Sequence, residues 1–315
     1  MPRIEALYHQ FIATPWTIKI ELVHGCNLKC KFCPVSLDET LQEKSSREFI
    51  NLGLLGKFCE EYAELREKQS PNSWPRIELA QRGEPTLHPH LFKCLRIIRK
   101  HLPKCQVTLF TNGVMILKNE DFISKCFDAG LNVLYVDCYN DTYQKFEGHC
   151  NKVNDGSFQV YDAKDFSPYR IHKGGHNLRV VSLIVGLEDQ KNSLSVREIH
   201  NVGGNMPPES LVQFGWEKKE NLPLAKNCYR PYRDIVMLSD GNIVVCCLDW
   251  YPTEDTILGN VNQQSVEEIW YGENHLKALR ALWNKNRDWG LCKTCDYFGG
   301  YRLGLLQNPN IEKEI

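Results

Sequence analysis

The sequence is almost without net charge. Its 315 residues carry 38 basic and 39 acidic side chains, a formal balance of -1. A protein that grips a polynucleotide or a membrane surface over a broad face needs an excess of one sign. Such a footprint is excluded here, leaving only room for a local patch, and no nucleic-acid partner is expected. No apolar run approaches 18 residues, which excludes a transmembrane helix. Met1 to Gln10 mixes charges with single apolar residues and has no h-region, so it is not a secretory signal, and a cytoplasmic location is expected. Internal repeats and low-complexity tracts are also missing. The chain is long enough to bury a sizeable core without disulfide staples.

What is present in excess is cysteine, 14 in all, roughly two to three times ordinary usage. A disulfide framework belongs to short secreted chains, and this chain is neither short nor provided with a signal. The thiols therefore read as metal ligands, catalytic groups or core filler.

Strand-like and helical patterns alternate. Residues 17–22 (TIKIEL) alternate as a strand, and 76–81, 106–111, 132–137 and 178–185 are further strands. Helical stretches lie between them at 49–66, 91–101 and 120–129. Leu91, Leu95 and Ile98 share one helical face, as do Phe122, Ile123, Cys126 and Phe127. This order predicts an α/β fold with a parallel sheet and right-handed crossovers, a full or partial (β/α) barrel. The polar, Gly-containing stretch 148–175 reads as a long loop. After residue 185 the pattern changes. Residues 233–239 and 242–248 flank Asp240-Gly241 as a β-hairpin. A helix over 265–283 opens with Ser265 as N-cap and Glu268 three residues on, a capping box. The expected division is 1–215 and 216–315.

Directly after the first strand, Cys26, Cys30 and Cys33 are spaced C-x3-C-x2-C. Three thiolates on a loop at the C-terminal end of a barrel strand can hold one inorganic centre. In an iron–sulfur cubane they would leave one iron without a protein ligand, at the end of the barrel where active sites sit. A chance cluster, or a zinc knuckle lacking its fourth ligand, competes with that reading.

With Phe32 before the last cysteine, this loop resembles the signature of the radical S-adenosylmethionine (SAM) superfamily. Residues 82–89 (RGEPTLHP) follow the second strand and resemble that family's Gly-Glu-Pro segment, with Arg82 where a glycine is usual. Thr111-Asn112-Gly113 ends the third strand in a similar way. The resemblance covers about residues 17 to 190. It implies a partial (β/α)6 TIM-like barrel and a [4Fe–4S] cluster on Cys26, Cys30 and Cys33. It further implies SAM against Phe32, Gly83, Glu84 and Asn112, and a 5′-deoxyadenosyl radical that abstracts a substrate hydrogen. Asp137, ending the fourth strand, is a candidate for contact with the ribose or the substrate, or else a solvated strand-end carboxylate.

Cys228, Cys246, Cys292 and Cys295 form a second set. Four thiolates saturate a cluster or a zinc ion, and such a centre shuttles electrons or holds the fold. Cys228-Tyr229-Arg230-Pro231, Gly241 four residues short of Cys246, Leu258-Gly259-Asn260 and Glu268-Ile269-Trp270 resemble the SPASM/twitch appendage of radical SAM enzymes. This implies a small C-terminal domain, a hairpin plus a helix, with one auxiliary [4Fe–4S] cluster. Cys247 sits beside Cys246. On a strand the two would point to opposite faces, leaving Cys247 either a hydrogen-atom donor or a buried small hydrophobe. Cys59, Cys94 and Cys126 read as core. Cys138 follows the fourth strand and could face the pocket, with core favoured. His149, Cys150, His172 and His176 invite a third metal site, although a pocket-shaping loop is favoured there.

The resemblance implies dehydrogenation or epimerisation of a small molecule such as a sugar or aminocyclitol, since no module precedes the first strand where many peptide-modifying relatives carry one. A ribosomally made peptide is the alternative substrate, and a non-catalytic iron–sulfur or zinc scaffold the alternative class. A low-potential donor such as flavodoxin or ferredoxin is the implied partner.

Overall fold

A computed structural model describes residues 14–38, 47–69, 75–139, 142–166, 172–185, 201–217 and 221–297. Its strands are β1 (Thr17–Ile20), β2 (Val23–His24), β3 (Glu48–Phe49), β4 (Arg76–Leu79), β5 (Gln106–Thr111), β6 (Val133–Cys138), β7 (Gln159–Asp162), β8 (Val180–Val185), β9 (Asp234–Met237), β10 (Asn242–Val244) and β11 (Ile257–Asn260). Nine of them make one sheet in the order β11-β10-β9-β1-β4-β5-β6-β8-β7, and β2 pairs with β3 separately. From β9 to β7 every neighbouring pair is parallel; β10 and β11 are antiparallel additions at the other edge. β7 and β11 are its two edges, so among the described residues the barrel is partial, as expected.

Register explains how this sheet sorts its side chains. Ile77 lies opposite Val107, Leu79 opposite Leu109, Leu134 opposite Val181 and Val136 opposite Leu183. These apolar residues face the crossover helices and belong to the main core. Leu91, Cys94, Leu95 and Ile98 of the helix Leu91–His101 are buried, as are Phe122, Ile123, Cys126 and Phe127 of Phe122–Asp128. Because strand side chains alternate, the intervening positions share the opposite face. There Lys19 stands opposite Glu78, and Phe110 opposite Tyr135.

Two sequence expectations are corrected. The stretch 148–175 is not one long loop: the helix Tyr143–Val153 runs into it and β7 follows. That helix buries only Phe146 and Cys150, four residues apart, so its apolar stripe is too narrow to stand out. β7 is a half-buried edge strand without apolar alternation, and pairing with β8 creates it. The single helix expected over 265–283 is two, Val266–Trp270 and Glu273–Trp283. The break falls at Gly272, where a Cβ would lie 2.6 Å from the Glu268 carbonyl oxygen. Its capping box forms as expected: the Glu268 N–H donates to the Ser265 hydroxyl (3.2 Å), and the Ser265 N–H donates to the Glu268 carboxylate (2.8 Å).

The expected hairpin forms as β9 and β10, and β9 also pairs with β1. The sheet therefore runs without interruption from the N-terminal part into the cysteine-rich C-terminal part. Among the described residues no helix is long and apolar enough to cross a membrane.

Candidate active site

Beyond β1 the chain enters the cysteine loop, and the backbone clips that loop to the segment after β4. The Gly25 N–H donates to the Arg82 carbonyl (3.0 Å) and the Glu84 N–H donates to the Gly25 carbonyl (3.0 Å). The approach is so close that a Cβ on Gly83 would stand 2.5 Å from the Gly25 carbonyl oxygen. Only glycine fits there. The Cys33 N–H donates to the Cys30 carbonyl (3.0 Å), turning the chain, and the 3-10 helix Pro34–Leu37 ends the loop. Sequence spacing and tertiary clip together put Cys26, Cys30 and Cys33 on the wall of one cavity of about 270 Å³.

The expected partners meet there. Phe32, Gly83, Glu84, Asn112 and Asp137 line the same cavity. Phe32 packs edge-on against Phe214 (5.6 Å between centroids) and tilted against Tyr139 (5.7 Å). The Asn112 amide donates to the Asn27 side-chain oxygen (2.9 Å) and approaches the Cys26 sulfur (3.7 Å), which the Leu28 N–H also approaches (3.4 Å). Glu84 is buried and accepts from the Thr86 N–H (3.0 Å) and hydroxyl (2.6 Å), the Thr111 hydroxyl (2.7 Å) and the Asn112 N–H (2.8 Å). It thus tethers the ends of β4 and β5.

Arg82, the departure from the usual glycine, does not line the cavity. Its guanidinium forms a bidentate pair with buried Glu21, Nε to Oε2 and Nη2 to Oε1, both 2.8 Å. The Ser239 N–H (3.2 Å) and hydroxyl (3.0 Å) donate to the same carboxylate. Burial opposes ionisation of Glu21, but the adjoining Arg82 outweighs it and holds the carboxyl below its ordinary value. Glu21 thereby locks the cysteine loop, the Gly-Glu-Pro segment and the hairpin to one another.

Sequence reasoning missed several cavity residues. Lys19 and Glu78 form an ion pair on the cavity wall, and Arg76 reaches the other Glu78 oxygen (2.5 Å). Burial disfavours the charged Glu78, yet Lys19 and Arg76 keep its carboxyl below the ordinary value. A charged residue midway along TIKI was the available signal, but its partner 59 residues away was not legible. Gln81 lines the cavity with φ at +135°, a strained backbone for a non-glycine residue. Its amide donates to the Cys247 carbonyl (2.8 Å). Trp250, from the C-terminal part, lines the cavity too.

The second cysteine set is deeper. Cys228, Cys246, Cys292 and Cys295 are all buried. Cys228 and Cys292 pack about Leu282. Burial, then neighbouring Cys295 and Cys228, pushes the Cys292 thiol up to about 12. Burial pushes Cys295 up to about 11, with Cys228 adding to it. In the loop set, burial pushes Cys33 up to about 12, while burial and then Glu84 raise Cys26. A thiol binds a metal as the thiolate, so metal capture at either set would release protons. Among the described residues no preformed metal cage of three or more such side chains is drawn together. The donor sets fit iron–sulfur centres by chemistry: three thiols line a cavity, and four more are buried, two of them packed about Leu282.

The expectation that Cys246 and Cys247 point apart on a strand is corrected. β10 ends at Val244, and the Asp249 N–H donates to the Cys246 carbonyl (3.0 Å) in a turn. Strand alternation does not apply there, and the two thiols interact. The hydrogen bond from Cys246, and then the charges of Arg230 and Lys19, hold Cys247 below the usual thiol range. The Arg230 guanidinium donates to its sulfur (3.0 Å). Cys59, Cys94, Cys105, Cys126, Cys138 and Cys150 are core residues. His172 stacks on Phe166 (4.2 Å), and among the described residues no third group of metal-ligating side chains is found.

Residues 228–296 match the SPASM family, described as an iron–sulfur cluster-binding domain. The chain is similar to the crystal structure of BtrN in complex with AdoMet and 2-DOIA, at 20% identity and a TM-score of 0.62, covering 90% of this chain and 93% of that one. A Streptococcus suis SuiB structure bound to S-adenosylmethionine is similar at 13% identity and a TM-score of 0.45, covering 96% of this chain and 80% of that one. No curated protein matches the sequence. The chain thus has the partial-barrel fold of the BtrN structure and carries, over residues 228–296, a SPASM iron–sulfur cluster-binding domain.

Proposed function

We propose that the chain is a radical SAM enzyme that dehydrogenates a small polar molecule. The observation that carries this reading is the cavity shared by Cys26, Cys30, Cys33, Gly83, Asn112 and Asp137. In it, residues 1–215 form the catalytic partial barrel and 216–315 the auxiliary domain. Cys26, Cys30 and Cys33 would hold one [4Fe–4S] cluster, and Cys228, Cys246, Cys292 and Cys295 a second. When bound, the first cluster and SAM would supply an electron and a 5′-deoxyadenosyl radical able to remove a hydrogen atom from a substrate C–H bond. The electron would come from a low-potential donor such as flavodoxin or ferredoxin.

This chain's residues contribute position, polarity and exclusion of water. Gly83 admits the close backbone contact that fixes the loop. Phe32, buttressed by Tyr139 and Phe214, shields one side of the cavity. Asn112 orders the Cys26 sulfur. Asp137, on the cavity wall, would accept a hydrogen bond from a ribose or substrate hydroxyl. Lys19, Glu78 and Gln81 offer further charged and polar contacts, which suit a hydroxylated or aminated small molecule in a cavity of about 270 Å³ better than a peptide. The BtrN complex holds AdoMet and 2-DOIA, a pairing in keeping with that substrate class.

Dehydrogenation is favoured over epimerisation because Cys247 does not line the cavity; its thiol lies against Arg230 and Cys246. Incubation with candidate aminocyclitols in deuterated water tests the choice. Loss of two hydrogens supports the reading. Deuterium at an inverted carbon, abolished in Cys247→Ala, would replace it with epimerisation. Zinc with little iron after anaerobic reconstitution, and no 5′-deoxyadenosine from SAM and a reductant, would point to a scaffold instead.

A further inference from the structure

In the segment that carries Cys292 and Cys295 lies a buried guanidinium for which no ion pair is found among the described residues. Arg287 is 2% exposed. Its Nη1 donates to the Tyr297 carbonyl (3.0 Å), while its Nε has no hydrogen-bond partner. Among the described residues it pairs with no Asp or Glu. Asp296, near in sequence, instead accepts the Trp216 indole N–H (2.6 Å) and the Asn201 N–H (3.0 Å). A buried cation without a counter-ion is strongly disfavoured, so a compensating negative charge is expected close by. Cys292 and Cys295 lie on the short segment between Arg287 and Tyr297, and the Arg287–Tyr297 bond closes that segment onto the guanidinium.

A second guanidinium meets the same Tyr297. Arg230 donates to the Cys247 sulfur and is only loosely paired with Asp234 (3.9 Å). It also lies 4.2 Å above the Tyr297 ring. Tyr297 therefore links the two cations, its ring under Arg230 and its carbonyl on Arg287. A cluster with a 2+ core held by four thiolates carries two net negative charges, and three when reduced. Arg287 supplies positive charge toward such a centre in a region that excludes water, with Arg230 joined to it through Tyr297.

We propose that Arg287, supported by Arg230, is the built-in counter-charge of the second thiolate-held centre and sets how readily that centre accepts an electron. Arg287 is a positioning and tuning residue, remote from the cavity. The inference rests on the cluster assignment made above. A positive charge stabilises the reduced, more negative form, so removing it lowers the midpoint potential.

The test uses the full chain, reconstituted with iron and sulfide, in a Cys26→Ala/Cys30→Ala/Cys33→Ala background so that only the second centre is read. Redox titration followed by electron paramagnetic resonance should show a more negative midpoint in R287M and a clearly smaller shift in R287K, which keeps the charge. The metal-free R287M protein should melt no lower than its parent, because the substitution removes an uncompensated buried charge. If R287M fails to retain iron while R287K retains it, the counter-charge role is supported. An unmoved midpoint in R287M at full iron content would overturn it, as would equal shifts or equal iron loss in both variants. Failure of the cluster assignment looks different: the parent background would itself bind no iron.

Discussion

The two thiol sets differ in depth and in what surrounds them. Cys26, Cys30 and Cys33 are half-buried on a cavity wall, whereas Cys228, Cys246, Cys292 and Cys295 are 5–7% exposed. The loop set has polar neighbours arranged for a bound molecule: Asn112, Asp137 and the Lys19–Glu78 pair. About Cys228 and Cys292 stand apolar Leu282, Trp289 and Leu291, and the buried guanidinium of Arg287 lies in the same segment as Cys292 and Cys295. An incomplete donor set beside a cavity leaves a site for chemistry, and a complete one shut away from water suits electron storage or structural support. The same residue type serves two purposes because the fold gives it two environments.

The most severe way to break this contrast is at the open site. Cys30→Ala should reduce 5′-deoxyadenosine formation to background, measured by chromatography after adding SAM and a reductant. Persistence of cleavage would dismantle the functional reading. Cys295→Ala should behave differently. Iron content should fall from about eight to about four per chain, while some SAM cleavage survives. Equal loss in both variants would show that the two sites are not separable.

Between the sites stands Glu21. Glu21→Gln leaves Arg82 buried without its partner and should lower stability by about 3–5 kcal/mol, measured by urea denaturation of the metal-free chain. The pH dependence follows from the depressed folded pKa of Glu21. Below the unfolded value the unfolded chain binds more protons than the folded one. The Glu21 contribution is therefore complete above about pH 4.5 and disappears as pH falls through the lower folded value. Glu21→Gln should flatten that part of the acid limb; an unchanged limb would deny the pair its role. The smallest effect is expected from Gly83→Ala, about 1–3 kcal/mol of overpacking against the Gly25 carbonyl. Its distinguishing mark is weaker SAM binding with the second centre's iron unaffected.

Much of this architecture was legible locally. Helix 91–101 and strand 106–111 appear where periodicity put them, and the capping box at Ser265 forms as its spacing predicts. The edge strand β7 and the narrow-striped helix before it were not legible, because pairing and packing with β8 define them rather than their own residues. Cys247 was misjudged for a related reason: strand alternation was assumed past the point where β10 stops.

By itself, the sequence determined the two cysteine groupings, the order of motifs along the barrel and the alternation of strands and helices, since spacing and periodicity are local properties of the chain. Tertiary structure alone decided that Lys19 meets Glu78, that Arg82 is held by Glu21 rather than turned into the cavity, that β9 docks on β1, and that Arg287 is buried beside the deeper thiols. The physical reason is that each of these depends on register and packing. A charge on one strand is satisfied or orphaned only by what the neighbouring strand, or a segment far along the chain, brings within reach.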